Sequence, residues 1–188
     1  MAIKIFIDQG HNPYGFNAGA EGNGLREQDI TYSVGTALAQ ILEKDSRFDV
    51  RVSREMPDQV LGSDNATSLC QRVEKANTWP ADYFVSVHAN ASTNPDANGS
   101  EVYVYSLDTA AASLAQPVLD SIVSELGTKD NGVRPNPSLY VLQKTMMPAI
   151  LVELAYITNV EDAVKLRDKQ QEFALAIYHG ILKFFGYA

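Results

Sequence analysis

At 188 residues, with a single cysteine and 45% hydrophobic side chains, the chain is long enough to bury one core without staples, and no intramolecular disulfide can form. A formal charge of -8 argues against a nucleic acid or an anionic membrane surface as partner, because phosphate binding rests on clustered Lys and Arg. No apolar run approaches the roughly 20 residues that span a bilayer, and the N-terminus lacks the charged, apolar and small-residue blocks of a signal peptide.

Continuous apolar strands alternate with helical periods along the chain. That pattern predicts an α/β fold: a single three-layer domain, residues 1–188, with a central, mostly parallel sheet of about six strands flanked by helices. Strands are expected over residues 2–8, 48–53, 82–88, 101–105, 139–143 and 149–154, rich in Val, Ile, Tyr and Phe. A helix over 27–45 places Ile30, Val34, Leu38, Ile41 and Leu42 on one stripe, and a second over 64–78 does so with Leu69, Val73 and Ala76. On the latter Cys70 reads as an inward-facing, inert thiol. A third helix, 108–126, contains Pro117, which should kink it or mark a boundary, and Gly127 suits its C-cap. Asn159 is placed to cap a short helix, and residues 169–185 repeat Phe173, Ile177, Ile181 and Phe185 at helical spacing. The longer loops, 9–26, 93–100 and 128–138, are dense in Gly, Asn, Asp or Pro.

Two of the strands stop at histidines: Ile5-Phe6-Ile7-Asp8-Gln9-Gly10-His11 and Tyr83-Phe84-Val85-Ser86-Val87-His88. Between them, Gly24-Leu25-Arg26-Glu27 sets a carboxylate where a glycine-rich loop turns into a helix. Two imidazoles and one carboxylate form an open catalytic zinc set with a position left for water. In open α/β sheets ligands bind beyond the carboxyl ends of the strands, so His11, His88 and Glu153 should converge at one edge despite their separation in sequence. Glu153 ends the buried-type run Ala149-Ile150-Leu151-Val152, where a carboxylate needs a cation or a proton, and it suits a general base acting on water beside the metal. Asp8, Ser86 and Asn90 are candidates for orienting a ligand. Arg134, in a loop positioned to line a cleft, is a candidate for binding a substrate carboxylate, with Asn90 as a second substrate contact. Glu101, Arg54 and Arg72 read as structural, and His179 lies on the last helix away from any strand terminus. The cleft itself is expected to be open and polar, walled by loops 9–26, 93–100 and 128–138.

Taken in order, these segments resemble the zinc-dependent N-acetylmuramoyl-L-alanine amidases of the third amidase family. The resemblance runs nearly end to end. It includes Ile7-Asp8-Gln9-Gly10-His11, Gly19-Ala20-Glu21-Gly22-Asn23-Gly24-Leu25-Arg26-Glu27, Arg72 with Ala76-Asn77, Ser86-Val87-His88-Ala89-Asn90, Gly99-Ser100-Glu101-Val102, Leu139-Tyr140-Val141-Leu142 and Met147-Pro148-Ala149-Ile150-Leu151-Val152-Glu153. It implies Zn2+ held by His11, Glu27 and His88, Glu153 as catalytic acid/base, and hydrolysis of the amide joining the lactyl group of N-acetylmuramic acid to L-alanine of the stem peptide. It also implies peptidoglycan as partner, a monomer, and action at the bacterial cell wall as an autolysin or endolysin. The protein would then be a trimmed secreted domain or a lysin made in the cytoplasm. Gln9 departs from the family pattern, which usually has proline before the Gly-His pair, and no wall-binding repeat or autoinhibitory helix is visible.

Three rivals fare worse. A zinc carboxypeptidase needs Glu three residues after its first His, where this chain has Tyr14. A nucleotide-binding module needs G-x-x-x-x-G-K-[ST] or G-x-G-x-x-G at a strand end, and neither occurs. A catalytically inactive wall-binding relative is the remaining alternative, disfavoured because all four chemical residues are present.

Overall fold

The computed structural model describes residues 2–187; Met1 and Ala188, the two ends of the expected domain, lie outside the described residues. Its centre is a six-stranded sheet, built from β1 (Ile3–Gln9), β4 (Phe48–Val52), β5 (Tyr83–Asn90), β6 (Ser100–Val104), β7 (Asp130–Pro135) and β8 (Ala149–Tyr156) in the order β4-β1-β5-β8-β6-β7. Neighbours pair in parallel except β6 and β8. The loop between β1 and the first helix contains a two-stranded hairpin, β2 (Glu21–Gly22) and β3 (Leu25–Arg26).

The apolar stripes predicted from periodicity place the helices. α1 (Glu27–Glu43), α3 (Ala110–Leu126) and α6 (Gln170–Phe184) cover one face of the sheet, burying Val34, Leu38, Leu114, Val118, Phe173 and Ile177 against Val85, Val87, Val102, Ile150 and Val152. α5 (Val160–Asp168) begins at Asn159, whose side chain accepts hydrogen bonds from the amides of Glu161 and Asp162. α3 runs through Pro117 and ends at Gly127, which adopts the left-handed conformation as expected. Gly180 lets α6 approach it closely, since a Cβ there would lie 2.4 Å from the Val118 Cα.

The opposite face is covered by only α2 (Asn65–Thr78) and α4 (Tyr140–Lys144), over a smaller cluster of Phe6, Val73, Trp79, Phe84, Val141, Leu142 and Leu151. α2 starts with a capping box between Asp64 and Thr67.

Three expectations are corrected. Residues 139–143, read as a strand, form most of α4: adjacent Val141 and Leu142 both bury against α2 and β8, and packing overrides the local β-propensity of Tyr and Val. The segment 128–138, read as a loop, contains the edge strand β7, whose Gly, Asn and Pro conceal it because an edge strand tolerates them. Cys70 is partly exposed and donates to Glu74 Oε1 at 3.4 Å instead of packing inward.

Candidate active site

Side chains alternate between the two faces of a strand, and that alternation builds the site. On β5, Val85, Val87 and Ala89 enter the large core, whereas Phe84, Ser86, His88 and Asn90 occupy the thinly covered face. β1 does the same with Phe6 and Asp8, and β8 with Ala149, Leu151 and Glu153. Register then lines up His88, Glu153 and Glu101 as directly opposed neighbours across β5, β8 and β6.

His11, Glu27 and His88 converge beside this row. His11 Nε2 lies 3.0 Å and His88 Nδ1 3.1 Å from one oxygen, Glu27 Oε1. One ligand atom from each residue falls within 4.8 Å of the others. The donor set fits a divalent metal such as zinc: these two contacts are close to the roughly 3.3 Å separating ligand atoms on a tetrahedral ion with bonds near 2.0 Å. Backbone amides aim Glu27 from both sides, Ala89 N donating to Oε1 at 3.0 Å and Ala20 N to Oε2 at 2.8 Å. Two glycines make room for the cluster. A Cβ at Gly10 would come within 2.5 Å of His88 Cε1 and 2.7 Å of Val87 O, and one at Gly19 within 2.7 Å of Glu27 Cβ.

His11 itself sits in the left-handed region at φ 68°, a conformation an L-residue holds only when its surroundings impose it. The buried guanidinium of Arg72 imposes it, donating to Gln9 O (2.6 Å) and His11 O (2.6 Å) and pairing with Asp8 Oδ1 (2.7 Å). Asp8 also accepts from Ser86 Oγ at 2.8 Å. Burial pushes the Asp8 carboxyl up, but the charges of Arg72 and His88 and the hydrogen bonds of Ser86 and Arg72 outweigh it and hold the group ionised below the usual range. Asp8 and Ser86 thus act on the loop rather than on an imidazole. Where the family pattern has proline, the Gln9 amide donates to Ser53 Oγ at 3.0 Å, and its side chain brackets the backbone of Arg54. A proline could make neither contact.

Glu27 is held well below the ordinary carboxylate range: burial raises it, and hydrogen bonds and charge from His11 and His88 more than reverse that. Glu153 goes the other way. Burial, then the negative charges of Glu27 and Glu101, push it well above the ordinary value, and its Oε2 is buried without a hydrogen-bond partner. A carboxyl of raised proton affinity thus stands directly across the sheet from His88, one of the three ligand-type residues.

Asn90 and Arg134, anticipated as substrate contacts, both turn to Glu101. This residue, read from sequence as structural, is 1% exposed; its Oε1 accepts from Asn90 Nδ2, Tyr103 OH (3.1 Å) and Tyr156 OH (3.3 Å), and its Oε2 forms an ion pair with Arg134 Nε at 3.2 Å without a hydrogen bond. A recognisable signal existed: Ser100-Glu101-Val102-Tyr103-Val104 alternates, putting Glu101 and Tyr103 on one face. His179 pairs with Glu125 on the far side of the molecule. The cleft beside the metal-type cluster is also less polar than anticipated. A groove of about 280 Å³ runs past His11 and His88 and is lined by Leu69, Leu139, Tyr140 and Leu151, so α2 and α4 rather than loop 93–100 form that wall.

An α/β layer fold with an open His-Glu-His donor set and a carboxyl of raised proton affinity at the strand ends defines a hydrolase-type site. The chain belongs to the N-acetylmuramoyl-L-alanine amidase family, whose model matches residues 5–183. It is 36% identical over 185 residues to the N-acetylmuramoyl-L-alanine amidase LytC of Bacillus subtilis, covering 96% of this chain and 35% of that protein. It is 35% identical over 180 residues to the amidase CwlM of Bacillus licheniformis, covering 95% of this chain and 65% of that one. The chain therefore spans between about a third and two thirds of the length of these relatives. Among solved structures, N-acetylmuramoyl-L-alanine amidase AmiC2 of Nostoc punctiforme superposes with a TM-score of 0.84 at 36% identity, over 98% of this chain and 97% of that one.

Proposed function

We propose that the chain is a zinc-dependent catalytic domain that hydrolyses the amide between the lactyl group of N-acetylmuramic acid and L-alanine of the peptidoglycan stem, acting at the bacterial cell wall. The observation that carries this reading is the convergence of His11, Glu27 and His88 within ligand distance, next to Glu153. Those three residues would hold the metal. When bound, zinc supplies a Lewis acid that activates water and polarises the scissile carbonyl.

The remaining steps belong to the chain. Glu153 accepts the proton of the attacking water and delivers one to the departing alanine nitrogen, a double use that its raised proton affinity favours. Arg72, Asp8 and Ser86 hold the His11 loop in place. The apolar groove along Leu69, Leu139 and Leu151 accepts the acyl side of the substrate, and Arg134 with Asn90 offers polar contacts on the other. The competing reading, a wall-binding relative without activity, predicts neither zinc nor cleavage. Purified protein should contain about one zinc per chain and release new L-alanine amino termini from purified peptidoglycan, and His88→Ala should lose both. Full zinc content and full cleavage in His88→Ala would refute the ligand assignment.

A further inference from the structure

Resting on that reading, we propose that Glu101 is a positioning residue: it aims Arg134 at a carboxylate on the stem-peptide residue that follows the scissile alanine. The direction of the peptide follows from the row of side chains. Of the metal-type donors, His11 follows β1, Glu27 begins α1 and His88 lies on β5; Glu153 is on β8, Glu101 on β6 and Arg134 on β7. A carbonyl held at the donors and a leaving nitrogen protonated by Glu153 point the departing peptide across β6 toward β7. Neighbouring strands lie about 4.8 Å apart and an extended peptide advances about 3.5 Å per residue. A peptide leaving Glu153 therefore carries its second residue over Glu101 and Arg134.

What waits there is built for an anion. Arg134 Nε donates to Asn131 O at 2.9 Å and lies 3.2 Å from Glu101 Oε2, and among the described residues its two terminal nitrogens have no hydrogen-bond partner on a side chain that is 53% exposed. Two parallel N–H donors match the oxygens of a carboxylate. The guanidinium of Arg72, also beside the site, is buried and directs its terminal nitrogens to Asp8, Gln9, His11 and Asn12, and its remaining Nε is buried as well. Glu101 in turn is immobilised by Asn90, Tyr103 and Tyr156. Three hydrogen bonds, none from a metal ligand, converge on Oε1 of this buried carboxylate and fix its Oε2 as the ion-pair partner of Arg134. Without it, Arg134 is a flexible surface side chain, and a negative group would meet Glu153 without compensation.

The test uses two soluble disaccharide–stem-peptide fragments that differ only in carrying a free carboxylate or a carboxamide on the residue after alanine. The parent should prefer the free acid by about 10- to 100-fold in kcat/KM, the range of a charge-assisted contact. Arg134→Ala should erase the preference, Glu101→Gln should bring the ratio near one while zinc content stays intact, and the double variant should fall no further than Arg134→Ala alone. A purely structural Glu101 would slow both fragments equally and keep the ratio, which overturns the proposal. So would an Arg134→Ala protein, substituted at an exposed position that folding does not depend on, that retains the preference. A parent that hydrolyses both fragments equally also rejects this inference while sparing the amidase reading, and a zinc-loaded parent that hydrolyses neither rejects the amidase reading itself.

Discussion

The two faces of the central sheet are made from the same strands yet obey different rules. Under α1, α3 and α6, the alternate residues in the middle of β5 and β8 are aliphatic and buried: Val85, Val87 and Ala89 on one strand, Ile150, Val152 and Leu154 on the other. Under α2 and α4 the same strands begin apolar, at Phe84 and Ala149, and end in His88, Asn90 and Glu153. Cover stops short on that face, and the change from packing to chemistry occurs within two residues. One face fixes where the strands lie, which lets the other expose strained and charged groups at defined positions.

That division predicts opposite mutational phenotypes. The largest effect belongs to the chemical face: Glu153→Gln should lower turnover by about 10² to 10⁴-fold, the loss typical of a general acid/base, with zinc by elemental analysis unchanged. Near-parental cleavage by the zinc-loaded variant would remove Glu153 from the mechanism. Gly10→Ala should reduce cleavage by about 10²-fold, because the new methyl meets His88 and the Val87 carbonyl and ångström misplacement carries that penalty. Leu38→Ala, wholly within the large core, should instead cost about 2–5 kcal/mol in denaturant unfolding and leave cleavage per folded molecule unchanged.

Asp8 blurs the boundary, being buried like a core residue but charged. Asp8→Asn should cost about 3–5 kcal/mol, since it leaves Arg72 uncompensated. Because the folded-state pKa of Asp8 is depressed, its contribution is present above the unfolded value of about 3.9 and fades as pH falls through the folded one. The smallest effect has the opposite sign. Glu153 has a raised pKa in the metal-free protein, so its ionisation destabilises the fold increasingly as pH rises from about 4.3 to its folded value. Glu153→Gln should thus raise the Tm of metal-free protein at neutral pH and leave it unchanged near pH 4. A lowered Tm at pH 7 would contradict that sign.

Much of this was legible beforehand because it rests on period and position. The gathering of His11, His88 and Glu153 toward one edge of the sheet and the stripes of α1 and α6 follow from residue type alone, although β5 and β8 run on to Asn90 and Tyr156. What escaped depended on direction and on edges. Glu101 joins the site only because β6 runs antiparallel to β8, bringing a strand start to the edge where other strands finish. The clue was the short connection of residues 91–99 after β5, too short for the dozen or more residues of a parallel crossover. β7 and α4 were misread because an exposed edge and a five-residue helix carry little periodic signal.

The left-handed backbone of His11 carries one more consequence. Its geometry is enforced by Arg72, which holds the His11 carbonyl, and by the Asn12–Asn17 and Asn12–Leu61 hydrogen bonds, none of which uses a side-chain donor atom of the proposed metal set. On the proposed zinc reading, the backbone that carries the first ligand is held by the protein's own hydrogen bonds and not by the ion. Chelation should then strip the ion without unfolding the domain, and readdition should restore function on the timescale of ion diffusion and ligand exchange rather than of refolding.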